Sequence, residues 1–132
     1  VAVHIRRGDY LKIGCQLSMD FYDKAILKFQ ELNQRRNTVF YIFSDDIDFA
    51  KQYFGKYENK IELHYPQYES ENKTLDDLFL MSHCKHMIMA NSSFSWWAAW
   101  LNQNKNKIVI CPELGMWSGE FYPEEWDKII CD

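Results

Sequence analysis

The sequence predicts an α/β fold, a parallel sheet with helices on both faces. Two observations carry that expectation. Short β-prone apolar runs alternate with stretches of helical periodicity through most of the chain, an order that requires right-handed crossovers between parallel strands. Three of those runs break directly into polar residues, at Arg6-Arg7-Gly8-Asp9, Ser44-Asp45-Asp46 and Asn91-Ser92-Ser93, which gathers polar groups at the carboxyl edge of the sheet. At 132 residues the chain is one compact domain with room for a single core.

The first strand lies in Val1-Ala2-Val3-His4-Ile5. On a regular strand side chains alternate, so Val1, Val3 and Ile5 share one face while His4 and Arg6 share the other. Residues 11–17 read as a loop around Gly14, and Ser18 then caps a helix over 19–33. Tyr22, Ala25, Ile26, Phe29 and Leu32 form its apolar stripe, with Leu27 outside it. Residues 38–43 are continuously apolar, the pattern of a strand buried on both faces. A short helix over 47–54 follows, with Gly55 as its stop, then a strand over 60–65 ending at Pro66. After a polar loop, Thr74 opens a helix to about residue 84, with Asp77 where a capping-box acid would sit. A strand over 86–90 breaks into an apolar helix over 94–101, and 107–111 forms a fifth strand closed by Pro112. The tail carries Trp117, Trp126 and a last apolar run over 128–131.

Composition narrows the function. Hydrophobic residues make up 47% of the chain and aromatics 17%, which supports a packed core with aromatic surface to spare. The net charge of -4 offers no general attraction to nucleic acid, so phosphate recognition must come from locally placed arginines. Cys15, Cys84, Cys111 and Cys131 are widely spaced, without the pairs that zinc or redox chemistry uses, and read as reduced, mostly buried thiols. With no signal peptide and no apolar run of spanning length, the expected setting is the cytoplasm, either free or peripheral to the inner membrane face.

Three junctions could carry chemistry. Arginine beyond a strand end suits phosphate, because its planar fork donates two parallel hydrogen bonds, although Arg6 or Arg7 could equally pair with Asp9 on the surface. At Asn91-Ser92-Ser93 a strand passes through hydroxyl residues into a helix, offering free backbone N–H groups and the positive end of a dipole; the competing role is a simple N-cap. Asp45-Asp46 could hold Mg²⁺, but a capped helix start explains the pair better. Neither a Gly-x-Gly-x-x-Gly nor a P-loop motif occurs. Trp96, Trp97 and Trp100 sit at helical spacing and read as core or domain interface. His83, Cys84 and His86 straddle a helix-strand break without a second ligand cluster and read as structural.

The combination of His4-Ile5-Arg6-Arg7-Gly8-Asp9-Tyr10, Phe43-Ser44-Asp45-Asp46, and Asp77-Leu78-Phe79-Leu80-Met81-Ser82 running to Ala90-Asn91-Ser92-Ser93-Phe94-Ser95-Trp96-Trp97 resembles the alpha-1,2-fucosyltransferases of glycosyltransferase family 11. The resemblance spans nearly the whole chain in order. It implies a Rossmann-like domain equivalent to the C-terminal, GDP-fucose-binding half of a two-domain GT-B enzyme, with the N-terminal partner domain absent from this chain. Arg6 would hold the β-phosphate as GDP departs, and Asp9, the nearest acid, is the other catalytic candidate. His4 and Arg7 would belong to the donor site, Asp77 would accept from guanine N1–H and N2, and Ser92, Ser93 and the Phe94 amide would meet phosphate at the helix start. Such enzymes transfer fucose with inversion and generally need no metal.

Two function classes follow. The first is an inverting fucosyltransferase, or its donor-binding part, acting on a galactose-terminated glycan. The second is a non-catalytic nucleotide-sugar binding module or inactive fragment. The isolated chain could also complete itself with a missing N-terminal domain or as a homo-oligomer.

Overall fold

The computed structural model describes residues 1–34, 37–115 and 119–131. Six strands form one sheet in the order β3-β2-β1-β4-β5-β6, every pairing parallel. They are β1 (Ala2–Ile5), β2 (Val39–Ser44), β3 (Glu62–His64), β4 (Met87–Ile88), β5 (Val109–Glu113) and β6 (Asp127–Ile130). The helices are α1 (Gly8–Ile13), α2 (Met19–Leu32), α3 (Ile47–Phe54), α4 (Lys73–His83) and α5 (Ser93–Leu101). This is the Rossmann-like, doubly wound arrangement, whose strand order reverses between β1 and β4 and opens a crevice at their carboxyl ends.

Alternation along β1 divides the core. Val1, Val3 and Ile5 pack with Phe21, Tyr22, Ile26 and Phe29 of α2 and Phe54 of α3. Ala2 faces the other way, with Met81 of α4, Ala98 and Ala99 of α5, and Met87 and Met89. Tyr22, Ala25, Ile26 and Phe29 of the stripe expected of α2 are buried, joined by Phe21, whereas Leu32 at the helix end is exposed, as is Leu27 outside the stripe. Ser18 caps α2 by accepting from Asp20 N–H at 3.3 Å.

Several elements differ from expectation. Residues 8–13, expected as loop, form α1, which Gly14 ends in the left-handed region at φ 66°. The helix buries none of its residues, so no apolar stripe announced it. Helix α3 ends at Phe54 with Gly55 as its C-cap, as expected, although Gly55 stays in the right-handed region and leads into a 3₁₀ turn, Gly55–Tyr57. The cap of α4 is Asn72, whose Oδ1 accepts from Leu75 N–H at 3.2 Å, rather than Thr74, so Asp77 is not its capping acid. The apolar run at the tail adds a sixth strand, while Trp117 lies outside the described residues. Of the four free cysteines only Cys111 is buried; Cys15 is exposed and the other two are intermediate. No helix is long and apolar enough, among the described residues, to cross a membrane.

The tryptophan cluster of α5 is core only in part, since Trp96 packs against the buried layer while Trp97 and Trp100 lie outside it. Trp97 is 52% and Trp100 53% exposed, and Trp96 stacks on Trp100.

Candidate active site at the carboxyl ends of β1 and β4

A cavity of about 460 Å³ opens where β1, β2, α4 and α5 meet, and His4, Arg6, Asp9, Asp77, Ser92 and Ser93 line it together with Phe94 and Asp45. Residues distant in sequence thus converge as the strand ends require. Arg7 is the exception. Alternation sends it to the opposite side, where its guanidinium lies 3.4 Å over the Phe49 ring and its Nε donates to Asp46 at 3.3 Å. Its backbone N–H donates to Asp45 Oδ1 at 2.8 Å. Arg7 therefore ties the β1 end to the start of α3.

Arg6 is held in the cavity wall by two acids. Its Nε and Nη2 donate to the two oxygens of Asp9 at 3.0 and 3.1 Å, and Asp45 Oδ2 lies 3.6 Å from Nε. This side-on fork leaves the outer end of the guanidinium, Nη1 and the second Nη2 proton, for a ligand oxygen. The surface pair weighed from sequence exists, yet it orients the arginine instead of consuming it. Hydrogen bonding to Arg6 holds Asp9 below the usual carboxylate range, and the same bond raises Arg6, so both stay ionised. Gly8 belongs to this arrangement: a Cβ there would lie 2.7 Å from Asp45 Oδ2. Asp46 caps α3 by accepting from Phe49 N–H at 3.2 Å, as the capped-start reading expects.

His4 is buried, and desolvation pushes its pKa down to about 4, so the ring is neutral at physiological pH. Ser95 Oγ accepts from Ala90 N–H at 3.2 Å and contacts His4 Nδ1, which fixes the ring in place. His4 is therefore a neutral imidazole in the cavity lining, held against Ser95. Phe94 packs against the ring at 5.4 Å between centroids.

Across the cavity Asp77 accepts from the Tyr68 hydroxyl and pairs with Lys73 at 2.9 Å. At α5, Ser92 is the N-cap, accepting from Phe94 N–H at 3.2 Å, and Ser93 stands exposed in the first turn. The Phe94 amide is thus already bonded. Among the described residues, no three His, Cys, Asp or Glu side chains are grouped so as to hold a metal ion.

The profile of glycosyl transferase family 11 matches residues 1–126, which takes in every element of this site. The chain belongs to glycosyl transferase family 11. It is 40% identical to an alpha-1,2-colitosyltransferase of Escherichia coli over 98% of its own length and 47% of that protein's. The O-antigen biosynthesis glycosyltransferase WbnK of Escherichia coli is 39% identical, over 84% of this chain and 37% of the relative. The mouse galactoside 2-alpha-L-fucosyltransferase Sec1 is 24% identical over 76% of the chain and 28% of the relative. The chain thus spans less than half the length of these curated relatives.

Within this family 11 chain the fold also recruits residues that the sequence did not single out for the site. Lys73 and Thr74, at the start of α4, line the cavity and bring a second cation opposite Arg6. Ser95, 91 positions from His4, fixes the ring. Its signal was a buried hydroxyl inside the aromatic helix Phe94-Ser95-Trp96-Trp97, a buried polar group that needs a partner. Tyr10 walls the cavity with its ring 5.6 Å from the Arg6 guanidinium carbon and donates its hydroxyl to the Asn91 carbonyl at 3.3 Å. Two cations, a neutral imidazole, a helix start and three carboxylates, Asp9, Asp45 and Asp77, thus face one cavity.

Proposed function

We propose that this chain is the donor-binding part of an inverting family 11 glycosyltransferase, one that moves fucose from GDP-fucose to the 2-hydroxyl of a terminal galactose on a glycan. The observation that carries the reading is the free end of the Arg6 fork, held by Asp9 and Asp45 inside the cavity shared with His4 and Asp77. The diphosphate lies against Arg6 and the Ser93 helix start, and charge growing on the leaving GDP is met by bonds already aimed at it. Asp77 takes guanine N1–H and N2 once Lys73 turns from it toward phosphate, which selects guanine over adenine. Asp9 acts first as the orienting acid of Arg6; its exposed carboxylate is also the nearest base for an incoming hydroxyl. Binding needs no divalent metal, because Arg6 and Lys73 offset the diphosphate charge. The N-terminal half of the enzyme, or a second copy of the chain, completes the acceptor side. Cysteines without disulfides support a cytoplasmic setting, free or against the inner membrane face.

A second donor is favoured by a specific observation, the 40% identity to an alpha-1,2-colitosyltransferase. Colitose is fucose without its 3-hydroxyl, so the two donors share every group that this cavity is read to hold. Titration calorimetry with GDP and ADP, with and without EDTA, tests the binding reading, and transfer to lactose from GDP-fucose and GDP-colitose tests the chemistry. GDP is expected to bind more tightly than ADP, unchanged by EDTA. Equal affinities, or a clear gain from Mg²⁺ that Asp45→Asn abolishes, overturn that reading; tight GDP binding without transfer by the complete protein leaves a non-catalytic nucleotide-sugar module.

A further inference from the structure

A second cavity, about 530 Å³ and so larger than the donor cavity, lies on the other side of Tyr10 at the same edge of the sheet. Its walls come from α1, the start of α2, and the ends of β5 and β6. The volume is that of a small-molecule site, 300 to 1,000 Å³ being about the usual range. Tyr10 and Phe21 supply aromatic wall, and Leu17 and Leu114 aliphatic wall. The charged groups at the rim cancel, since Lys24 pairs with Asp20 at 2.6 Å. One wall residue is left with an unmet need. Asn91 is only 7% exposed; its Nδ2 donates to the Cys15 carbonyl at 2.8 Å, while its buried Oδ1 has no donor. Buried polar atoms are nearly always paired, so an orphan acceptor enclosed just behind a cavity wall points to a donor that reaches it when a ligand parts that wall.

We infer that this cavity seats the terminal pyranose of the acceptor glycan, with an acceptor hydroxyl donating to Asn91 Oδ1 and the C–H face of the ring on Tyr10. The inference rests on the transferase reading above and adds to it a place for the acceptor. A neutral ligand that is apolar on one face and rich in hydroxyl donors fits an uncharged, aromatic, acceptor-bearing wall. Position agrees: Tyr10 lines both cavities, so a sugar seated here is separated by one side chain from Arg6, where the donor's phosphate is held. The Tyr10 hydroxyl, bonded to the Asn91 backbone, links the two sites mechanically.

Amide chemical-shift mapping of this chain with methyl β-galactoside, GDP and GDP-fucose tests it. The galactoside is expected to shift the amides of Leu17, Asn91 and Leu114, and GDP those of Arg6, Asp77 and Ser93. Asn91→Leu should weaken galactoside binding by about tenfold or more, the consequence of removing a needed acceptor, and leave GDP affinity as it was. Should Asn91→Leu not fold, Ile13→Trp, an exposed rim position, should block the galactoside alone. No galactoside shifts at saturating sugar, or shifts confined to the donor cavity, overturn the inference while GDP shifts keep the donor reading intact. If GDP-fucose but not GDP moves the Asn91 region, the cavity holds the donor's sugar and the acceptor assignment is wrong. Galactoside shifts here without any GDP binding would instead remove the donor reading.

Discussion

The two faces of the sheet are built from the same strands and packed to different ends. On the α2 and α3 side, Val1, Val3 and Ile5 of the first strand meet Phe21, Phe29, Phe40 and Phe54, large side chains that close the layer. On the α4 and α5 side the alternate positions are Ala2, His4 and Arg6, and the helix above them buries small groups, Ser95, Ala98 and Ala99. Small side chains under α5 leave room at the strand ends, and the polar residues of β1 line it. The first face is therefore where stability is concentrated, and the second is where binding groups are held, with tryptophans left on its outer surface.

The largest effect that separates the faces is on folding. Phe29→Ala removes a buried ring that packs edge-on against Phe40 at 5.7 Å, and should cost about 3–5 kcal/mol in chemical denaturation. Trp100→Ala removes a larger side chain from the other layer, but one stacked on Trp96 and half in water, so about 1 kcal/mol or less is expected. Equal losses would show that the outer tryptophans are part of the core after all.

Turnover should separate two adjacent arginines. In the complete enzyme Arg6→Lys keeps the charge but cannot hold Asp9 side-on while presenting a second fork, and one lost preorganised donor costs a factor of about 10²–10³ in kcat. Arg7→Lys loses the planar contact with Phe49 and loosens the α3 start, so it should lower thermal stability and leave kcat nearly unchanged. Steady-state kinetics and melting curves on both variants decide the matter. If Arg7→Lys carried the kinetic loss, the cavity would be assigned to the wrong side of the strand.

Much of this was legible in the sequence because it depends on period. The parallel sheet follows from the alternation of β-prone runs with helical stripes, and alternation along the first strand puts His4 and Arg6 on one face; Arg7, expected in the donor site, lies instead on Phe49 and Asp46. What escaped was set by contacts with no local pattern. The α1 helix buries nothing, so its sequence has no stripe to read. Ser95 and Lys73 matter through neighbours far along the chain, His4 and the opposite cavity wall, and long-range partners leave no trace in spacing. Asp77 looked like a capping acid because Thr74 looked like a cap, and the true cap two residues earlier, Asn72, removed that role.

The smallest of the three effects tests the buried polar group on the binding face through pH. His4 has its pKa lowered to about 4 from an ordinary 6.5, chiefly by burial, so between those values the unfolded chain binds a proton that the folded chain does not. Folding is therefore favoured most above pH 6.5 and loses ground as pH falls, the stability decreasing by roughly 3 kcal/mol at most by pH 4 and levelling below it. Carboxylates held low by partners, such as Asp23 with Lys56, Tyr53 and Tyr57, add their own losses only at lower pH, within the carboxylate range. Urea denaturation at pH 7.5, 6, 5 and 4 on the native chain and on His4→Gln isolates the histidine by difference, since glutamine can still bond Ser95 but does not titrate. The native chain should lose more stability than the variant over this interval, and parallel curves would mean that His4 takes up its proton in the folded state as readily as in the unfolded one. A neutral, buried His4 could not survive that result, and the charge pattern assigned to the binding face would have to be redrawn.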